Sequence, residues 1–164
     1  MTDPHHGEFI EKYVDDDGYR TRFFDDLEVG EAFESTWHRV TQEEILRFAD
    51  EFDRQYFHND PEAAATSPFG GLIASGAHTF AVWNRVNLDV NGDIAWIAGV
   101  GFDEFRFPGP MRADVDFKAT SVLESARRSA SDPERGVVAH RYRLVTRGGD
   151  TVFTARCTAL VHRR

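Results

Sequence analysis

The sequence has little of what several classes of protein require. It contains a single cysteine, Cys157, so it cannot form an internal disulfide. No apolar run approaches the roughly 18 residues that a membrane helix needs. The N-terminal residues lack the basic flank and apolar stretch of a secretory signal. We therefore expect a soluble, cytoplasmic protein with no membrane partner.

Positive charge is also in short supply. The chain has 19 Lys and Arg against 28 Asp and Glu, a formal net charge of -9. An acidic surface repels phosphate backbones, which disfavours a nucleic-acid partner. Apolar residues, by contrast, make up 41% of the 164 residues, and 14 residues are Phe. That content is sufficient for one domain with one core.

The chain divides into a polar extension and one folded unit. Residues 1–22 contain the run Asp15-Asp16-Asp17 and show no sustained period, so we predict an N-terminal extension. Residues 23–164 are predicted to form the domain. Residues 126–136 are the one loop-rich stretch inside it.

Three helices are indicated by their start signals. Thr41 and Glu44 form a capping box that begins a helix ending near Phe52. Asp60-Pro61 predicts a short helix over residues 61–66. Ser75-Gly76 opens a longer helix that Asn91-Gly92 ends.

The remaining segments alternate apolar and polar residues with a period of two, which is typical of half-buried antiparallel strands. The longest helix must cover the apolar face of the resulting sheet. This predicts an α+β architecture, whose free face and edges are natural dimer surfaces. The predicted strands cover residues 31–40, 95–107, 115–119, 138–146 and 153–161.

Asp53 and His58 are the candidate catalytic residues. They lie five positions apart, at the ends of a predicted irregular turn between the first two helices. A carboxylate and an imidazole that converge on one water can deprotonate it and return a proton. Taken singly, each has a simpler explanation: Asp53 ends a helix, and His58 is a satisfied loop histidine. The downstream segment favours the catalytic interpretation.

That downstream segment has the features of an oxyanion site. Gly70 and Gly71 permit a close approach of the backbone, and Ser75-Gly76 begins the long helix. Free amides and the positive end of a helix dipole suit the oxygen of a thioester. An activated water beside such a site is what the addition of water to an enoyl thioester needs.

The stretch from Phe48 to Gly76 resembles the MaoC-like hydratases, the (R)-specific enoyl-CoA hydratases of hot-dog fold. Asp53 and His58 match the family's catalytic pair, and Gly76 matches the glycine whose amide polarises the thioester carbonyl. The resemblance spans roughly residues 23–162. It implies a single hot-dog domain, in which a curved antiparallel sheet wraps a long central helix. It also implies reversible hydration of a trans-2-enoyl-CoA to an (R)-3-hydroxyacyl-CoA.

The chain departs from this family inside the turn and along the long helix. Gln55 and Tyr56 stand where the family often has Asn and Pro, and Asn84 stands where some members carry a serine. We expect Tyr56, Asn84 and Ser75 to contact the substrate beside Gly76. These departures bear on the acyl group more than on the reaction.

The resemblance also implies what binds to the protein. The partners are an acyl-CoA thioester and further copies of the chain, in a homodimer or a higher homo-oligomer. No cofactor is expected, since coenzyme A is part of the substrate. The histidines are not spaced like zinc ligands, so no metal is expected either. Two alternatives stay open: a hot-dog acyl-CoA thioesterase, and a non-catalytic acyl-CoA-binding subunit.

Overall fold

The computed structural model describes residues 21–164. Most of the predicted N-terminal extension, residues 1–20, lies outside the described residues. A short 3-10 turn at Phe24–Asp26 precedes the regular elements. In chain order these are β1 (Ala32–Glu34), β2 (His38–Arg39), α1 (Gln42–Phe52), α2 (Tyr56–Asn59), α3 (Pro61–Ala65), α4 (Gly76–Asn91), β3 (Trp96–Arg106), β4 (Asp116–Arg128), β5 (Arg135–Thr146) and β6 (Thr151–His162).

The described strands form one antiparallel sheet in the order β1-β4-β5-β6-β3, and β2 also pairs with β4. The two strands that flank the helical segment in sequence, β2 and β3, therefore lie on opposite sides of the sheet. Register shifts interrupt β3 at three places. Such irregularities bend a strand and increase its twist, as a curved sheet requires.

Helix α4 lies against the concave face of this sheet and forms the centre of the core. Its buried residues recur every three or four positions, so they form one face of the helix. They are His78, Thr79, Val82, Trp83, Val86, Val90 and Asn91. The predicted α+β hot-dog architecture is confirmed: a curved antiparallel sheet wraps one long helix.

The predicted helix starts are also confirmed. Thr41 and Glu44 exchange both bonds of the capping box, at 3.2 and 2.8 Å. The Asp60 carboxylate accepts from the amides of Glu62 and Ala63. Ser75 caps α4, because its Oγ accepts from the His78 amide at 3.1 Å.

Three boundaries differ from the prediction. The first strand is two short strands, because residues 35–37 leave the ladder between β1 and β2. The turn between Asp53 and His58 is not wholly irregular, since α2 occupies half of it. The predicted loop over residues 126–136 is shorter, because β4 continues to Arg128 and β5 already begins at Arg135.

Arg22, the last residue of the predicted extension, packs into the domain. Its side chain is 1% exposed and forms two bonds to the Asp93 carboxylate, at 2.6 and 3.1 Å. A third nitrogen contacts Glu31 at 3.3 Å. The backbone of Arg22 also bonds to Asp93 and Ala95. This residue therefore ties the start of the described chain to the link between α4 and β3.

Candidate active site

Asp53 and His58 are positioned by the ends of two consecutive helices. Asp53 is the C-terminal cap of α1, and its amide donates to the Ala49 carbonyl at 2.9 Å. His58 lies in α2, where its amide donates to the Gln55 carbonyl at 2.8 Å. Because only residues 53–55 separate α1 from α2, the chain reverses sharply between them. The reversal brings the two side chains together.

The two side chains face each other across a gap that fits one water. His58 Nε2 lies 3.7 Å from Asp53 Oδ2. This distance exceeds a direct hydrogen bond, and a polar contact of this length is commonly bridged by water. The His58 side chain is 7% exposed and that of Asp53 is 28% exposed. The pair therefore lies at the boundary between the core and the solvent.

The other ring nitrogen of His58 fixes the role of Nε2. Nδ1 lies 2.8 Å from the Ile73 carbonyl oxygen. A carbonyl only accepts, so Nδ1 must carry a hydrogen in this bond. In the neutral ring, Nε2 then holds the free lone pair. That lone pair faces Asp53, which is the orientation required of a general base acting on a water between the two groups.

The second oxygen of the Asp53 carboxylate has a partner as well. Gln55 donates from Nε2 to Asp53 Oδ1 at 3.2 Å. Each carboxylate oxygen therefore has one neighbour: Gln55 at Oδ1 and His58 at Oδ2. Since Gln55 also accepts the first backbone bonds of α2, this residue links the carboxylate to the helix that carries His58.

Gly76 lies at the first position of α4, where an amide has no acceptor within its own helix. Within residues 21–164, no other group accepts its hydrogen. A Cβ atom placed on Gly76 would lie 3.0 and 3.1 Å from two ring carbons of Phe107. Glycine therefore allows the ring of Phe107 to lie directly against the start of the helix.

His58 and Gly76 line the same cavity, which has a volume of about 360 Å³. One side of it is formed by α2 and by the loop that leads to α4. The other side is formed by residues 107–111, which follow β3. The full lining is Phe57, His58, Phe69, Ile73, Ala74, Gly76, Thr79, Phe107, Pro108, Gly109, Pro110 and Met111.

The structure does not bring three of the predicted substrate contacts to this cavity. Tyr56 is 47% exposed and packs edge-on against Phe57, outside the lining. Asn84 lies on the exposed side of α4, two turns beyond Gly76. Ser75 is buried and uses its hydroxyl as the helix cap.

Several lining residues carry no signal in the sequence. Phe107 and Met111 follow the third strand, and Thr79 lies one turn into α4. The Ile73 group that binds His58 is a backbone carbonyl, so the identity of residue 73 does not predict this contact. Only the Pro-Gly-Pro run at 108–110 marks this segment as a tight turn.

His78 lies in the first turn of α4 and is held differently from His58. Its ring stacks on Phe48 with centroids 4.5 Å apart and an angle of 3° between the planes. Burial lowers the pKa of His78. Its Nδ1 has no hydrogen-bond partner among the described residues. We assign His78 to the packing of α1 on α4, since it does not line the cavity.

The long helix in its curved sheet and the cavity at the start of that helix define a hot-dog protein. The chain belongs to the MaoC-like dehydratase family, because the model of the MaoC-like domain matches residues 26–145. The crystal structure of a MaoC-like dehydratase from Rhodospirillum rubrum has a TM-score of 0.82 and 36% sequence identity to this chain. The superposition covers 87% of this chain and 98% of that one.

Two curated relatives match part of the chain. The uncharacterized protein YdeM of Bacillus subtilis is 35% identical over 103 residues, which are 61% of this chain and 72% of YdeM. The 3-hydroxyacyl-thioester dehydratase Z of Mycobacterium tuberculosis is 39% identical over 94 residues. That match covers 55% of this chain and 62% of dehydratase Z.

Within residues 21–164, no helix is both long enough and apolar enough to cross a bilayer.

Proposed function

We propose that this chain hydrates a trans-2-enoyl-CoA reversibly to an (R)-3-hydroxyacyl-CoA. The observation that carries the proposal is the orientation of His58. The Ile73 carbonyl holds Nδ1, so the lone pair of Nε2 points towards Asp53 Oδ2 at 3.7 Å. Membership of the MaoC-like family and the similarity to a thioester dehydratase support the same reaction class.

In the proposed mechanism, the pair holds the attacking water. His58 Nε2 and Asp53 Oδ2 accept its two hydrogens and remove one as the oxygen bonds to C3 of the substrate. The electron pair of the C2–C3 double bond moves towards the thioester carbonyl. One member of the pair then delivers a proton to C2. Addition to one face of the substrate gives the (R) product that the family resemblance implies.

Gly76 is the proposed site for the charge that develops on the thioester oxygen. Its amide has no acceptor within the helix, and Gly76 lines the cavity beside His58. An amide already oriented towards that oxygen stabilises the enolate more than the ground state. The proposed reaction needs no metal or redox cofactor, because water addition is a proton transfer coupled to carbon–oxygen bond formation.

The test is loss of the enoyl-thioester absorbance when the purified protein meets crotonyl-CoA. Asp53→Asn and His58→Ala should each lower kcat about 10²- to 10⁴-fold, the usual contribution of a general acid or base. Asp50→Asn and His162→Ala are matched controls on exposed positions and should keep the wild-type rate. Wild-type turnover in either site variant would overturn the assignment.

A thiol-release assay and a binding measurement, run beside this test, separate the alternatives. Release of free thiol from a saturated acyl-CoA, without hydration of any enoyl-CoA, would identify a thioesterase. Binding of acyl-CoA without either reaction would identify a non-catalytic subunit.

We propose that the functional form is a homodimer joined along β3. This strand is one edge of the sheet, and nine of its eleven residues are exposed, while its outer side pairs with no other described strand. Val100 is 63% exposed and Ile97 is 38% exposed. An exposed apolar edge of this length is a template for pairing with another strand. Sedimentation at micromolar concentration tests the proposal, with twice the chain mass expected.

A further inference from the structure

We infer that the site takes a short, uncharged acyl chain and that Phe107 sets its length. The inference rests on the proposed function and adds the class of substrate. It starts from the cavity of about 360 Å³ that contains His58 and Gly76. This volume is at the low end for ligand sites. The reacting thioester occupies part of it, so little room is left for the rest of the acyl group.

The wall of this cavity suits hydrocarbon. Of its twelve lining residues, only His58 and Thr79 have polar side chains, and none is acidic. The Thr79 hydroxyl is committed to the Ser75 carbonyl at 3.0 Å, and His58 Nδ1 is committed to Ile73. A carboxylate at the end of an acyl chain would therefore lose its hydration without gaining a partner, which is costly.

Arg112, which directly follows the lining segment, does not supply such a partner. Arg112 is outside the lining, and its Nη2 donates to the Phe69 carbonyl at 2.6 Å. Its guanidinium lies against the backbone near Gly71. Arg112 therefore fastens residues 107–112 to the opposite wall.

Backbone bonds fix the size of the cavity. The Ala74 amide donates to the Met111 carbonyl at 2.9 Å, which joins the two walls directly. The Ile73 amide donates to the Phe57 carbonyl at 3.2 Å. The Ile73 bond holds one wall together, and the Ala74 and Arg112 bonds join that wall to residues 107–112. The walls are thus held at a set separation, and widening the cavity would break these bonds.

Phe107 forms the wall of the cavity next to Gly76, and the residue is 44% exposed. Its ring also contacts Phe105 and Phe153, with centroids 5.2 and 5.7 Å away. Behind it, Phe153 is fully buried in the aromatic core beneath α4. A chain that extends past Gly76 therefore meets this ring before it meets the core. Truncating the ring opens the cavity in that direction.

The test is a panel of 2-enoyl-CoA substrates from four to twelve carbons, together with one short substrate that ends in a carboxylate. Wild-type kcat/KM should be highest for short chains, and about tenfold or more lower for the carboxylate-bearing substrate, in line with the discrimination of apolar pockets. Phe107→Ala should move the optimum to longer chains, and Phe107→Leu should fall between. Phe102→Ala is the matched control, because Phe102 is on β3 with similar exposure but outside the lining.

Calorimetric binding of saturated acyl-CoA of the same lengths is measured in parallel. It reports the length preference even if no variant hydrates a substrate, so failure of the reaction and failure of this inference are distinguishable. An unmoved optimum in both Phe107 variants would overturn the role of Phe107. A wild-type preference for long chains, or equal use of the carboxylate-bearing substrate, would overturn the substrate class.

Discussion

The two ends of helix α4 both hold polar side chains in an apolar setting, but they use them differently. At the N-terminal end, His58 Nε2 and the Gly76 amide have no partner within hydrogen-bond distance among the described residues, and both groups lie at an open cavity. At the C-terminal end, Asn91 donates to Asn87 and Ser121 at 3.1 and 2.9 Å, and Asn91 and Ser121 are both buried. Polar atoms left free at a cavity are available for chemistry, whereas those bonded to each other hold the fold together.

The histidines show the same contrast. His58 is oriented by one carbonyl and faces a carboxylate. His140 lies beneath the far end of α4, stacked on Tyr142 at 5.6 Å and edge-on to Trp96 at 5.6 Å. Burial lowers the pKa of His140 to about 4, with a smaller contribution from the charge of Arg22. His140 is thus neutral at physiological pH and acts as a packing residue.

The largest expected effect comes from removing the ion pairs of Arg22, which lie beyond the C-terminal end of α4. Arg22→Met should cost roughly 3–5 kcal/mol of unfolding free energy, because Asp93 and Glu31 would lose their buried partner. Chemical denaturation measures this cost. The hydration rate per folded molecule should stay at the wild-type value. Loss of activity in a folded Arg22 variant would contradict the separation of the two ends.

The pH dependence of stability tests His140. Its pKa in the folded protein is below the ordinary value of 6.5, so the unfolded chain binds the proton more readily. Stability should therefore fall as the pH drops from about 6.5 to about 4, by up to roughly 3 kcal/mol, and this group should add no further loss below pH 4.

His140→Leu should flatten that slope. The smaller contribution of His78, whose pKa burial also lowers, should remain. The measurement is the free energy of unfolding at a series of pH values. His162→Ala, at an exposed position, is the control. If the slope of unfolding free energy against pH is unchanged in the His140 variant, the burial of His140 does not cause the loss of stability at low pH.

The smallest expected effect compares two helix caps. Ser75→Ala and Thr41→Ala each remove a side-chain acceptor, from α4 and α1 respectively, and each should cost about 1 kcal/mol in thermal unfolding. Ser75→Ala should also reduce hydration, because Gly76 follows it directly. Thr41→Ala should leave the rate unchanged. Equal rates in the two variants would argue against the start of α4 as the site of thioester binding.

Much of the fold follows from local patterns. The caps at Thr41, Asp60 and Ser75 each depend on two or three neighbouring residues, so the sequence predicts where the helices start. The long strands show an alternation that persists over many residues. Helix α2 has four residues, which is too short for a helical period to appear. The ends of β4 and β5 extend past the core, so backbone pairing continues there without the apolar pattern.

The candidate site likewise has one part that the local sequence predicts and one part that depends on long-range contacts. The spacing of Asp53 and His58 is local, and the sequence predicts their approach. The cavity depends on the bond between Ala74 and Met111, which are 37 positions apart. No short motif encodes that contact, so the sequence does not predict that Phe107 lines the cavity or that Tyr56 and Asn84 lie outside its lining.

The close contact between Gly76 and Phe107 also constrains how relatives of this chain can diverge. A methyl group at position 76 and an aromatic ring at position 107 compete for the same space. A substitution at either position changes which residues are tolerated at the other, so the two positions should vary together among related sequences. Mutation can therefore change the acyl preference first at Phe107. A substitution of Gly76 becomes possible only after a smaller side chain has replaced that ring.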